Sequence, residues 1–223
     1  MGVVHGQKGT LTPPVQEYAA KDYTALLGMP GFSDEALTLH FTLYQGYVKN
    51  TNLLLSILTK MARDGRLRTP EFMALKRRLG WEFDGMRLHE YYFDNMGGGG
   101  KIDSGSLLYK ALMREFGTYE AWKQDFVATG MIRGIGWSVL YQDPQTGRLF
   151  NVWINEHDLG HLAGGTPLLV MDVWEHAVMP DYGIDRQAYI DAFFNVIDWK
   201  KVEQRYEDAN NAEGIRVPSL GEP

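Results

Sequence analysis

Val170-Met171-Asp172-Val173-Trp174-Glu175-His176-Ala177 is the stretch on which the fold and its chemistry turn. It closes an apolar run from Pro167 to Trp174, which reads as a buried strand. The run ends on a carboxylate, an indole and an imidazole. An ionised Asp172 beside a buried Trp174 is costly unless it is paired or meets a cation. His176 follows it by four residues.

Upstream, Gly136–Gln142 and Arg148–Ile154 flank a turn at Asp143-Pro-Gln-Thr-Gly147 and predict an antiparallel hairpin. Two amphipathic helical stretches come before it, Ser104–Phe116 and Tyr119–Ala128, the second with Thr118 as its cap. Downstream, the pattern predicts a helix over Arg186–Phe194, a shorter one from Asp198, and a polar tail from about Glu207. The run Gly97–Gly100 cannot continue a helix and is the clearest boundary. Before it lie two long helices. One starts at Asp34 behind Ser33 and carries Leu37, His40, Phe41, Tyr44, Tyr47, Val48 and Leu53–Leu55 at three- and four-residue spacing. The other spans Pro70–Asp94 and carries Phe83, Met86, His89, Tyr92 and Phe93. Residues 1–14, rich in Gly, Pro and Thr, read as an extended arm. The expected class is α+β, in two domains. Residues 1–96 hold the arm and an antiparallel helical hairpin. Residues 97–223 hold a small antiparallel three-stranded sheet flanked by helices, and the tail.

Of the 223 residues, 44% are hydrophobic and 13% aromatic, as in an ordinary globular protein. No apolar run reaches the ~20 residues of a membrane span. The segment from Met1 to Gln16 has neither the apolar core nor the charged start of a secretory signal. A cytoplasmic protein with no membrane partner is expected. With no cysteine, disulfides, iron–sulfur clusters and thiolate zinc sites are excluded. Any metal must be held by His, Asp and Glu. A net charge of -6 with no Lys/Arg cluster argues against nucleic acid. An anionic substrate would need local basic residues to steer it.

The histidines are His5, His40, His89, His157, His161 and His176. His5 sits in the arm. His40 and His89 each fall on the aromatic side of a helix, where a lone histidine is usually a core residue. A pair on adjacent helices is how bundle metal sites are built. Joined by Asp172 and His176, they make a set of three imidazoles and one carboxylate suited to iron, manganese or zinc. The residues alone attach no reaction to that set.

Asp172-Val-Trp-Glu-His-Ala177 resembles the Asp-x-Trp-Glu-His-Ala signature of the iron/manganese superoxide dismutases. The resemblance extends from about Tyr23 to Tyr206. Leu39-His40 through Tyr47-Val48-Lys49-Asn50 resembles the family's first ligand helix, and Leu88-His89-Glu-Tyr-Tyr-Phe93 its second. It implies His40, His89, Asp172 and His176 as ligands of one iron or manganese ion per subunit. The implied activity is antioxidant: superoxide is converted to dioxygen and peroxide by metal redox cycling. Tyr47 matches the gateway tyrosine that relays protons. His157 falls where the family places a glutamine or histidine that bonds the metal-bound solvent. The other glutamine position is Gly85 here, so His157 is left with that role; family members with histidine there are often iron-dependent or accept either metal, which leans towards iron. Trp137 and Trp174 belong to the aromatic surround. Glu175 matches a glutamate that reaches the partner subunit's fourth ligand, and Arg186 a funnel arginine, its alternative being a solvated helix cap. A homodimer or tetramer through the active-site face follows.

This chain departs from the family in places. His40 and Tyr47 are seven residues apart where eight is usual. Seven residues is almost two full turns, which keeps both on one face of a plain helix, whereas eight needs a π-bulge. Regular i→i−4 bonding is therefore predicted over 40–47. Tyr44 and Met179 replace a histidine–tyrosine pair that bonds across subunits, and a thioether accepts only weakly. Packing against each other is the expected substitute. Phe93 and Val139 replace tryptophans, softening the cage. These changes leave as the alternative function a non-catalytic, metal-binding paralogue.

Overall fold

The computed structural model describes residues 17–212. Helix α1 runs Asp34–Arg63. Ser33 Oγ accepts from the Ala36 N–H at 3.1 Å, and acids in the first turn and bases in the last suit the helix dipole. The α-helical geometry is unbroken from one end to the other, with no bulge between His40 and Tyr47. Helix α2 spans Pro70–Asp94, with Pro70 in its first turn and Thr69 as cap. Cross-helix partners run in opposite directions. Asn50 meets Glu82, Tyr44 meets Glu90, and His40 meets Phe93. The hairpin is therefore antiparallel.

The Gly97–Gly100 run does more than end α2. A Cβ at Gly98 would collide with the Ile197 carbonyl oxygen. Only a glycine lets this loop lie flush on the later chain, where Gly98 N–H donates to Val196 O. Helices α3 (Leu107–Phe116) and α4 (Tyr119–Gly130) follow. The expected start of α3 at Ser104 moves to Leu107, because Ser106 is the cap and Glu203 accepts from the Leu107 and Leu108 N–H groups.

Strands β1 (Gly136–Gln142), β2 (Leu149–Asn155) and β3 (Thr166–Asp172) form an antiparallel sheet in the order β2-β1-β3. β1 is buried along its whole length, and Trp137 pairs with Asp172. β3 ends two residues before the predicted Trp174. The Asp172 Oδ1 accepts from the Trp174 N–H at 2.8 Å and turns the chain into helix α5, Glu175–Tyr182. α6 spans Arg186–Val196 and α7 spans Trp199–Ala212. The polar tail expected from about Glu207 is thus helical as far as Ala212. Val202, Tyr206 and Asn210 form a buried stripe at four-residue spacing, and Asn210 Oδ1 accepts from Gln142 Nε2 at 2.8 Å. The predicted arm and His5 lie outside the described residues.

Candidate metal centre

His40 comes from α1, His89 from α2, Asp172 from the end of β3 and His176 from the first turn of α5. One potential ligand atom from each lies within 4.8 Å of every other. Three Nε2 atoms converge on Asp172 Oδ2, at 3.2 Å from His40, 3.1 Å from His176 and 3.6 Å from His89. Asp172 and His89 are wholly buried and His40 nearly so.

The ring of His89 is the clearest guide to what the cluster could hold. Its Nδ1 lies 2.6 Å from the Gly85 carbonyl oxygen, which can only accept, so Nδ1 carries the proton. Burial, reinforced by His40, holds the ring's pKa well below the usual imidazole value. Nε2 is then a bare lone pair, buried and with no hydrogen-bond partner. Burial pushes the Asp172 carboxyl up, but His176 and His40 hold it well below the usual carboxylate range. A buried anion facing a bare lone pair calls for a cation between them. Iron, manganese or zinc fits this donor set.

The cluster is held from behind. Tyr189 donates to the Asp172 backbone carbonyl at 2.5 Å, and the Tyr92 and Tyr189 hydroxyls are 3.1 Å apart. Phe93, standing where tryptophan is usual, packs edge-on to His40 with centroids 4.9 Å apart.

Beside the ligands runs a second chain of polar groups. Trp137 Nε1–H donates to His157 Nδ1 at 3.1 Å. An indole nitrogen can only donate, so Nδ1 is unprotonated and Nε2 carries the hydrogen. Nε2 lies 2.7 Å from the Tyr47 hydroxyl oxygen and donates to it. The hydroxyl's own proton is left free for another acceptor. Burial pushes the His157 pKa down to about 4, which keeps the ring neutral at ordinary pH. Burial, with the Asp172 charge behind it, raises that of Tyr47. Tyr47 stacks on His89, centroids 5.2 Å apart. Its ring fills the place a side chain at 85 would take, since a Cβ there would lie 2.6 Å from Tyr47 Cδ1. Trp174 stacks on both His157 and His176.

Three expectations need correcting. Tyr44 is wholly buried, accepting from Lys21 N–H and donating to Glu90, so it is not an interface residue. Met179 is 51% exposed on α5, so the two do not form the packed pair that was expected. Arg186 is not the solvated cap given as its alternative. It donates to the carbonyls of Ile132 at 2.7 Å and Gly134 at 2.9 Å, bracing the loop before β1, while Asp185 caps α6. Glu175 is exposed, and with Arg186, Arg133 and Met131 it lines an open cleft of about 340 Å³.

The sequence reading missed Trp81. It packs edge-on to His157, centroids 4.9 Å apart, and to Trp174 at 5.9 Å, and Arg78 lies over it. The signal was there: Trp81, Gly85 and His89 are four residues apart, on one face of α2. The aromatic surround is therefore fuller than Phe93 and Val139 suggested.

Residues 104–205 match the model of the iron/manganese superoxide dismutases, C-terminal domain. The chain is 37% identical over 187 residues to a Cupriavidus metallidurans protein named as an iron superoxide dismutase, covering 81% of this chain and 91% of that one. A Pyrobaculum aerophilum protein, also named for iron, is 35% identical over 208 residues, or 91% of this chain and 94% of its own. A Haloferax volcanii protein named for manganese is 35% identical over 189 residues, 84% of this chain and 92% of its own.

Proposed function

The chain belongs to the iron/manganese superoxide dismutase family, and from that premise we propose that His40, His89, Asp172 and His176 hold one iron ion at which superoxide is dismutated. The bare, buried Nε2 of His89 facing Asp172 carries this reading. For iron over manganese the support is His157, in the position where the resemblance favours iron. The overall reaction takes two superoxide anions and two protons to one dioxygen and one hydrogen peroxide. A metal ion held by these four residues would supply one-electron redox chemistry.

The protein's own residues handle orientation and protons. His157 holds the Tyr47 hydroxyl by donating to its oxygen, which aims that hydroxyl's proton away from His157. A raised Tyr47 pKa keeps the proton on the hydroxyl until an anion draws it off. Trp137 fixes the His157 tautomer that makes this possible. Trp81 and Trp174 pack against His157 on other sides. Two ligands come from each of the proposed domains, 1–96 and 97–223. Association as a homodimer or tetramer through the cleft at Glu175 is part of the proposal, supported by the exposure of Met179 and Ile184 near it in sequence. No helix among the described residues is long and apolar enough to cross a membrane.

The test is dismutation by purified protein of known metal content. Activity in proportion to bound iron, abolished in His176→Ala, is the expected result. One tightly held metal per chain with no turnover would overturn the proposal, and activity that tracks manganese would overturn the choice of iron.

A further inference from the structure

We propose that His161 is a positioning residue for His157, pinning the turn that presents the His157 ring to Tyr47. This deepens the reading above and rests on it, since it takes His157 as the group that aims the Tyr47 hydroxyl.

β2 ends at Asn155, and the chain then folds into a tight turn closed by paired bonds between Asn155 and Leu159. Within it, Glu156 has a φ of 53°, the single non-glycine among the described residues with a positive φ. Such a conformation is unfavourable for a side chain and persists only where its surroundings over-determine it. One restraint is the bond from the Glu156 N–H to the Ile135 carbonyl, at 2.9 Å.

His161 supplies another. Its Nε2 lies 2.8 Å from the His157 carbonyl oxygen, which can only accept, so Nε2 carries the proton. In the neutral ring Nδ1 is bare and accepts from the Tyr141 hydroxyl at 2.7 Å. Tyr141 belongs to β1 and is 2% exposed, a fixed anchor. Asp84 of α2 stands 3.7 Å from His161 Nε2, next to the Gly85 on which the Tyr47 ring rests. One imidazole thus ties β1 to the turn, beside α2, at the place where His157 meets Tyr47. The side chain of His161 is 29% exposed, so it is not there to fill the core. Holding the His157 carbonyl fixes the peptide plane from which the His157 ring springs. Without that bond the turn has one restraint fewer against its unfavourable backbone, and the Tyr47 hydroxyl loses its fixed aim. Partners that orient a metal ligand are worth about 10–100-fold when they are lost, and a group one step further out is expected at the low end of that range.

The experiment uses full-length, metal-loaded protein. His161→Leu removes both bonds, and His161→Gln keeps an amide donor for the His157 carbonyl. The expected result is unchanged metal per chain, turnover per metal about tenfold lower in His161→Leu with an altered pH profile, and most of both restored in His161→Gln. Wild-type turnover and profile in His161→Leu would overturn the inference, as would a His161→Gln variant no better than His161→Leu. Should His161→Leu fail to fold, Tyr141→Phe deletes only the hydroxyl that anchors the ring. A smaller loss in the same direction supports the inference, and wild-type behaviour overturns it. His157→Ala is measured beside them. If it keeps full activity, the reading of His157 fails and this inference with it. If it is slow while His161→Leu is not, only the positioning role falls.

Discussion

The two nitrogens of His89 have opposite surroundings, one tied to Gly85 and the other facing Asp172 without a donor. The same allocation of protons decides the behaviour of His157, whose Nδ1 must stay bare to accept from Trp137. Burial first, aided by His176 and Arg78 and opposed by Asp172, takes its pKa down to about 4. An unfolded chain protonates this ring near ~6.5. Between those values the unfolded state binds more protons, so stability is full above about 6.5 and falls as pH drops towards 4. His157→Gln does not titrate in this range. Its loss of melting temperature between about pH 7 and about pH 4.5 should therefore be smaller than that of the wild type, in scanning calorimetry of metal-loaded protein. An equal loss in both would contradict the assignment. The four clustered residues were legible from the Asp172–Ala177 stretch and the two helical histidines. Which nitrogen of each ring is protonated was not, because it depends on carbonyls and indoles distant in sequence.

Among the elements, hydrophobic period and caps gave α2, the hairpin and the start of α1 nearly to the residue, because their signals are local; α1 runs eight residues past the last one read, Leu55, to Arg63. Ser33, Thr69 and Thr118 each accept from the N–H three residues on. The end of α7 escaped because Glu207–Ala212 is polar in sequence and is held by a tertiary bond. α5 escaped because Asp172 caps a turn that a periodicity reading continues as strand. The bond from Gln142 to Asn210 anchors the last turns of α7 alongside the buried Val202 and Tyr206. Asn210→Ala leaves a buried amide without its acceptor, next to a Gln142 Oε1 that already has no partner. A loss of about 1–3 kcal/mol in denaturant unfolding is expected, with turnover per metal unchanged. No loss would show that α7 holds by packing alone.

Across the whole molecule, the helical half and the sheet half are joined at Asn95 as well as at the centre. Asn95 is wholly buried, just past the end of α2. Its Oδ1 accepts from the Val170 N–H at 3.0 Å, and its Nδ2 donates to the Val170 carbonyl at 3.2 Å. β3 is an edge strand, and this one side chain satisfies it as a neighbouring strand would. Arg205 of α7 also donates to Asn95 Oδ1. Asn95→Ala should cost roughly 1–3 kcal/mol for each backbone group left unpaired. It should also weaken metal retention under chelator challenge, since β3 carries Asp172. Full retention would separate the two junctions.

His40 and Asp172 are 132 residues apart in the chain, and that separation orders events on the ribosome. His40 and His89 emerge first, two imidazoles with no carboxylate and so a weak grip on any ion. The remaining two donors arrive together, four residues apart, only after the sheet strand that carries the first of them has been made. A half-made chain therefore has no complete cluster, and peroxide production waits on a chain synthesised past His176.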